Sequence, residues 1–167
     1  MNETVNSGKL RNMTSIYLRC GDRFLLLYRI GSSVIEDSYT GTGGGHFEPH
    51  ELNDARSCVM RELYEETGLT ESDIDDLSLR YITLRLKNGE VRQNYYFFAN
   101  YIGDRDDIVS SEGRLCWFDA KDIHGLKMPF SASFMLDHYL KEGQYTTHLY
   151  GGVATESGID FTVLNEF

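Results

Sequence analysis

Short apolar runs broken by turn residues recur along most of the chain. Ser15–Cys20 and Phe24–Tyr28 are two such runs, separated by Gly21-Asp22, and together they predict a β-hairpin. Gly31–Asp37 reads as a loop, and glycine-rich Tyr39–Phe47 as a strand end entering a tight turn. From Leu77 to Leu86 the residues Leu77, Leu79 and Tyr81 alternate with Ser78 and Arg80, the period of a strand. Asn88-Gly89 is the strongest hairpin turn, with Gln93–Tyr101 as the returning strand. Leu115–Phe118 is another short strand, and residues 145–167 hold two more.

Two segments follow a helical period instead. Asp54 suits an N-cap, Gly68 suits the position just past a helix end, and between them Ala55 to about Thr67 predicts a helix. Val59, Met60 and Leu63 form its apolar stripe. Ser131–Lys141 predicts a second helix, ended by Gly143. Residues 1–12 are polar and expected to fray. With no internal repeat, low-complexity stretch or linker, the order predicts one domain over residues 1–167. Its expected class is α/β (α+β), a sandwich with a mixed central sheet and two main helices.

Charge narrows the function. A net charge of −10 repels nucleic-acid polymer, which argues against a duplex-binding module. It leaves room for a small phosphorylated ligand, because bound cations reverse the local field. Cys20, Cys58 and Cys116 lack metal-ligand spacing and read as reduced thiols of a cytoplasmic protein. No signal-peptide pattern or long apolar run is present, so neither export by that route nor a membrane partner is expected. Oligomeric state is not legible.

Candidate chemistry concentrates at Arg61–Leu69, R-E-L-Y-E-E-T-G-L. Glu62, Glu65 and Glu66 stand at i, i+3 and i+4, so a helix stacks their carboxylates on one face, where they repel. A hard divalent cation, Mg²⁺ with Mn²⁺ as substitute, converts that repulsion into attraction. Ala55 and Cys58 are small neighbours against which the Gly43–Gly45 run could lie, offering a backbone carbonyl to the cation. Arg61 is placed to pair with Glu48 or Glu51. A glutamate-rich helix face is ordinarily only a solvated surface. What changes the reading is G-G-G-H-F-E-P-H-E upstream, in strand–loop–helix order.

Gly45–Leu69 resembles the Nudix box of the Nudix hydrolases: glycine, five residues, glutamate, seven residues, then R-E-U-x-E-E-x-G-U, where U is bulky and aliphatic. Gly45, Glu51, Arg61, Glu62, Leu63, Glu65, Glu66, Gly68 and Leu69 fill it. One departure stands out: nine residues separate Glu51 from Arg61, the extra pair lying near Leu52-Asn53. The element order also resembles the Nudix-type α/β/α sandwich. The wording GTGGGHFEPHELNDA resembles the MutT-like branch often labelled 8-oxo-dGTP diphosphatase.

The resemblance implies a metal-dependent pyrophosphohydrolase. It cleaves a nucleoside triphosphate, 8-oxo-dGTP being one candidate, to monophosphate and pyrophosphate by water attack on phosphorus. It makes Glu62, Glu65 and Glu66 the metal ligands, assisted by the Gly45 carbonyl, with Glu51 orienting Arg61 and Glu48 as a second candidate for that role. Glu112, upstream of a late strand, is implied as a further ligand or the general base. Arg29 could face the phosphates. Met128–Ser131, with Phe130, sits where relatives have a base-contacting loop, and one ring of Tyr95–Phe98 could stack on a base. Arg85 and Arg92 flank the hairpin and read mainly as surface charge; His46 and His50 read as structural.

Two alternatives stay open. One is an ADP-ribose or sugar-nucleotide pyrophosphatase, but Leu84 stands where that branch often has proline, and Arg85 where diadenosine polyphosphate hydrolases often have tyrosine. The other is a non-catalytic nucleotide-sensing module, which usually lacks some of the box carboxylates retained here.

Overall fold

The computed structural model describes residues 8–30 and 37–167; the loop expected at Gly31–Asp37 falls largely outside them. The chain forms strands β1 (Leu10–Cys20), β2 (Arg23–Arg29) and β3 (Ser38–Thr40), then helix α1 (Ala55–Thr67). Strands β4 (Ile74–Lys87), β5 (Glu90–Tyr101) and β6 (Arg114–Asp119) follow, then helix α2 (Phe130–Lys141) and strands β7 (Tyr150–Thr155) and β8 (Gly158–Val163). The strands share one mixed sheet in the order β3-β2-β1-β5-β4-β7-β8, with β6 paired to β2. β1 runs parallel to β5 and β4 parallel to β7, and the remaining pairs are antiparallel.

Period-two alternation explains how one sheet carries two helices. Ile16 and Leu18 on β1, Leu25 on β2, and Phe97 and Ala99 on β5 meet Val59 and Leu63 of α1. Their neighbours Tyr17, Phe24, Leu26, Tyr96 and Phe98 face the other way, onto Ala132, Met135, Leu136 and Tyr139 of α2. Both faces are covered, so central strands read as continuous apolar runs such as Phe24–Leu27 and Tyr95–Ala99. This is the expected α/β/α sandwich. No helix among the described residues is long and apolar enough to cross a membrane.

The caps of α1 act as the sequence implies. Asp54 accepts the Ser57 N–H at 3.0 Å, and Gly68 takes a left-handed φ of 75° while its N–H bonds Tyr64 O. Val59 and Leu63 are fully buried, worth about 1.5–3 kcal/mol each. Asn88 and Gly89 both take positive φ, the signature of a two-residue hairpin turn.

One expectation is corrected. Fraying to residue 12 does not occur, because β1 begins at Leu10. Leu10, Arg11 and Asn12 pair in parallel with Val91, Arg92 and Gln93, a long-range register that a polar segment does not advertise.

Candidate active site

The glycine run lies between β1 and α1. Thr14 N–H donates to Gly45 O and Ile16 N–H to Gly43 O, both at 2.9 Å. A Cβ on Gly45 would lie 2.6 Å from the Glu62 carboxylate carbon. Gly44 has φ +145°, and a Cβ there would lie 2.2 Å from Thr14 O. Glycine here is a condition of bringing backbone against carboxylate. The Gly45 carbonyl, named from the sequence as a cation ligand, accepts the Thr14 N–H at 2.9 Å and has only the weak Cys58 thiol, at 3.9 Å, as a second donor.

Arg61 ties the loop to the helix. Its Nε and Nη2 donate to the two Glu51 carboxylate oxygens at 2.6 and 3.0 Å, and Nη2 also reaches His46 O at 3.1 Å. Nη1 donates to Glu62 at 2.8 Å and Glu65 at 3.0 Å. Glu48 stays 3.9 Å away and instead donates its backbone N–H to Glu51. The two extra residues before Arg61 are taken up in the turn at Leu52-Asn53, after a short 3-10 turn at Pro49–Glu51, so the fork-to-fork pair forms regardless. Glu51 is buried, and its bonds from Arg61 hold its carboxyl at about 2, while Arg61 is pushed up by the same contact.

The three helix carboxylates do not form one tight cluster. Arg61 draws Glu62 and Glu65 toward itself; Glu65 is exposed, whereas Glu66 is buried and accepts the Gly44 N–H. Burial first, then the Glu62 charge, raises the Glu66 carboxyl to about 7. The loop carrying Glu112 is fastened here, since Ser111 N–H donates to the Glu66 carbonyl at 2.9 Å. Glu112 pairs with Arg29 at 3.0 Å, and both charges are felt at Glu66. Glu62, Glu66, Glu112 and Arg29 thus gather at one place, although Arg29 and Glu112 are far apart in sequence.

Do these groups fit a hard divalent cation? The donors are all oxygens, and at buried Glu66, whose carboxyl is raised by burial and by the Glu62 charge, a cation would relieve both. Among the described residues, Glu48, His50 and Glu51 do lie within 4.8 Å of one another. Both Glu51 oxygens already hold the Arg61 guanidinium, so a cation there would meet another positive charge.

A cavity of about 520 Å³ runs from Glu66 and Gly44 across the α2 side of the sheet to the loop at Lys127–Ser131. Arg29, Met128 and Phe130 line it, as does buried Tyr96; Tyr95 packs on Phe47 instead. Arg85 and Arg92, read from the sequence as surface charge, also line it, together with Arg11, which the sequence did not single out. The Arg85 guanidinium lies 4.6 Å from the Phe130 ring centre. No local signal marks Arg11, because its neighbours are set by the parallel β1–β5 register.

The NUDIX domain family matches residues 9–138. The chain is 28% identical over 144 residues to the uncharacterised Nudix hydrolase YvcI of Bacillus subtilis strain 168, covering 83% of this chain and 84% of that one. In structure it is similar to a MutT protein from Bacillus halodurans, with a TM-score of 0.63 and 20% identity over 92% of this chain and 97% of that one. It is also similar to a C. elegans Ap4A hydrolase, with a TM-score of 0.57 and 19% identity over 78% of this chain and 94% of that one.

Proposed function

The chain belongs to the NUDIX domain family and is a Nudix hydrolase, and on that premise we propose that it cleaves nucleoside triphosphates to monophosphate and pyrophosphate with Mg²⁺ or Mn²⁺. The observation that carries this reading is the buried Glu66, beside Glu62 and the Gly44–Gly45 backbone, in a cavity whose other charged lining residues are all cationic. Glu62, Glu65 and Glu66 would hold the cation, with the Gly45 carbonyl and Glu112 as further oxygen donors. Bound there, it would neutralise the phosphate oxygens and make a nearby water more acidic.

The remaining chemistry belongs to the chain. Arg29 would bind the phosphates on the open side of the carboxylates, and Phe130 would contact the base. Arg61, anchored by Glu51, fixes Glu62 and Glu65, which favours a preorganised site. Glu112 would take the proton of the attacking water as the new P–O bond forms and the bridging P–O bond breaks, releasing pyrophosphate. The unpaired cysteines accord with a cytoplasmic setting.

The test is product analysis on a panel of dGTP, 8-oxo-dGTP, ATP and ADP-ribose with Mg²⁺ or Mn²⁺. Pyrophosphate from the triphosphates is the expected result. AMP from ADP-ribose alone would shift the substrate class, and binding without turnover of any member would overturn catalysis.

A further inference from the structure

We propose that the far end of the cavity binds a second phosphate group on the substrate, remote from the pyrophosphate being cleaved. The substrate class is then a nucleotide with an additional phosphate monoester on its sugar or beyond it. This rests on the pyrophosphohydrolase reading above.

The observation is a row of arginines. On the sheet, Arg11 of β1 stands directly opposite Arg92 of β5, and Arg92 stands opposite Arg85 of β4. All three line the cavity, as does Lys87. Neighbouring strands are about 4.8 Å apart, so three guanidinium groups share one rung, and like charges placed opposite one another destabilise a sheet.

The chain compensates this charge only in part. The one carboxylate within ion-pair distance of the rung, among the described residues, is Glu90, whose Oε1 is 3.5 Å from Arg11 Nε and 3.3 Å from Arg92 Nε. Neither Glu90 Oε1 nor Arg92 Nε is aligned for a hydrogen bond, although both atoms are buried. Arg85 has no carboxylate partner among the described residues and rests on Phe130. The rung therefore keeps a surplus of positive charge and an unused buried donor in a protein of net charge −10. Guanidinium forks match phosphate oxygens bidentately, which makes a phosphate monoester the fitting ligand.

The spacing suits a nucleoside between two anionic ends. Thr14, bonded to Gly45, marks the acidic end, and Arg11 lies three residues earlier, about 10 Å along the strand. The cavity-lining rungs change character along this path: Ser15 pairs with Tyr96 next to Thr14, and Met13 pairs with Asn94 on the way to Arg11. An aromatic ring, an amide and then guanidinium groups meet the ligand in turn.

The experiment uses the whole chain and matched ligands. Turnover is compared for ATP with and without a 3′-phosphate, and for ADP-ribose with and without a 2′-phosphate. Calorimetry with Mg²⁺ uses α,β-methylene-ATP with and without the 3′-phosphate, so binding is read even without hydrolysis. The phosphorylated member should be preferred at least about tenfold in kcat/KM and in Kd, the size of one good charge-assisted contact. Arg92→Gln and Arg85→Gln should each shrink that ratio toward one. Glu90→Gln should raise it, a gain that a merely damaged fold would not produce. Turnover without preference would sink the second site and leave the hydrolase reading standing. Preference in binding without turnover would keep the site and sink the hydrolase reading. Neither preference nor turnover would sink both.

Discussion

Two groups of three like charges are built in opposite ways, and of the acids only Glu66 lines the cavity, whereas all three arginines do. Glu62, Glu65 and Glu66 sit within five residues of one helix, and their proximity follows from the helical repeat alone. Arg11, Arg92 and Arg85 come from three strands, and their proximity follows from two registers, one of them parallel. Two of the acids are paired from within the same box by Arg61, whereas the basic group has only Glu90. A locally encoded cluster can carry its own counter-charge at fixed spacing. Both clusters keep charge to spare, the acid one at Glu66 for a cation and the basic one at Arg85 and Arg92 for an anion.

The contrast is broken most severely at the acid group. Glu65→Gln is expected to cut kcat by about 10²–10³-fold, the effect of losing one preorganised charge-stabilising group, with an unchanged melting curve because the side chain is exposed. Near-normal turnover would remove Glu65 from the reaction. Next comes the loop that brings backbone to the carboxylates. Gly44→Ala meets Thr14 O at a φ of +145°, and should cost about 3 kcal/mol in denaturant unfolding.

Glu51 separates the internal counter-charge from catalysis. Its folded pKa of about 2 lies below the ordinary carboxylate value, so its contribution to stability is complete above about pH 4.5. That contribution is lost as pH falls toward 2. Glu51→Gln should therefore be less stable by about 1–3 kcal/mol at pH 7, with the gap to the parent closing in acid. A gap that persists unchanged at pH 2 would refute the ionic account. Glu112 is tested by the balance of its kinetic effects: replacement by Gln should lower kcat more than it changes KM, as loss of the group that accepts the water proton requires. An equal change in both would instead make it a binding group.

Legibility in the sequence followed the range of the interactions. The α1 boundaries at Asp54 and Gly68, the Asn88-Gly89 turn and the apolar strands were readable, because caps, turns and alternation act within a few residues. The pairing of Arg61 with a loop carboxylate was also readable, with Glu51 and Glu48 left open; the turn at Leu52-Asn53 decided for Glu51. The polar start of β1 is not legible, and although Arg85 and Arg92 face each other across the legible Asn88-Gly89 hairpin, nothing near them in the chain reports Arg11 on the parallel strand alongside.

By itself, then, the order of residues determined the helix, its cap, its row of carboxylates and the glycines that must lie against them, since each depends on backbone geometry over one or two turns. Only the folded sheet decided that Glu66 is buried, that Glu112 and Arg29 meet beside it, and that Arg11 joins Arg85 and Arg92 on one rung. Those outcomes depend on strand register and solvent exclusion, which arise when segments far apart in the chain are brought together.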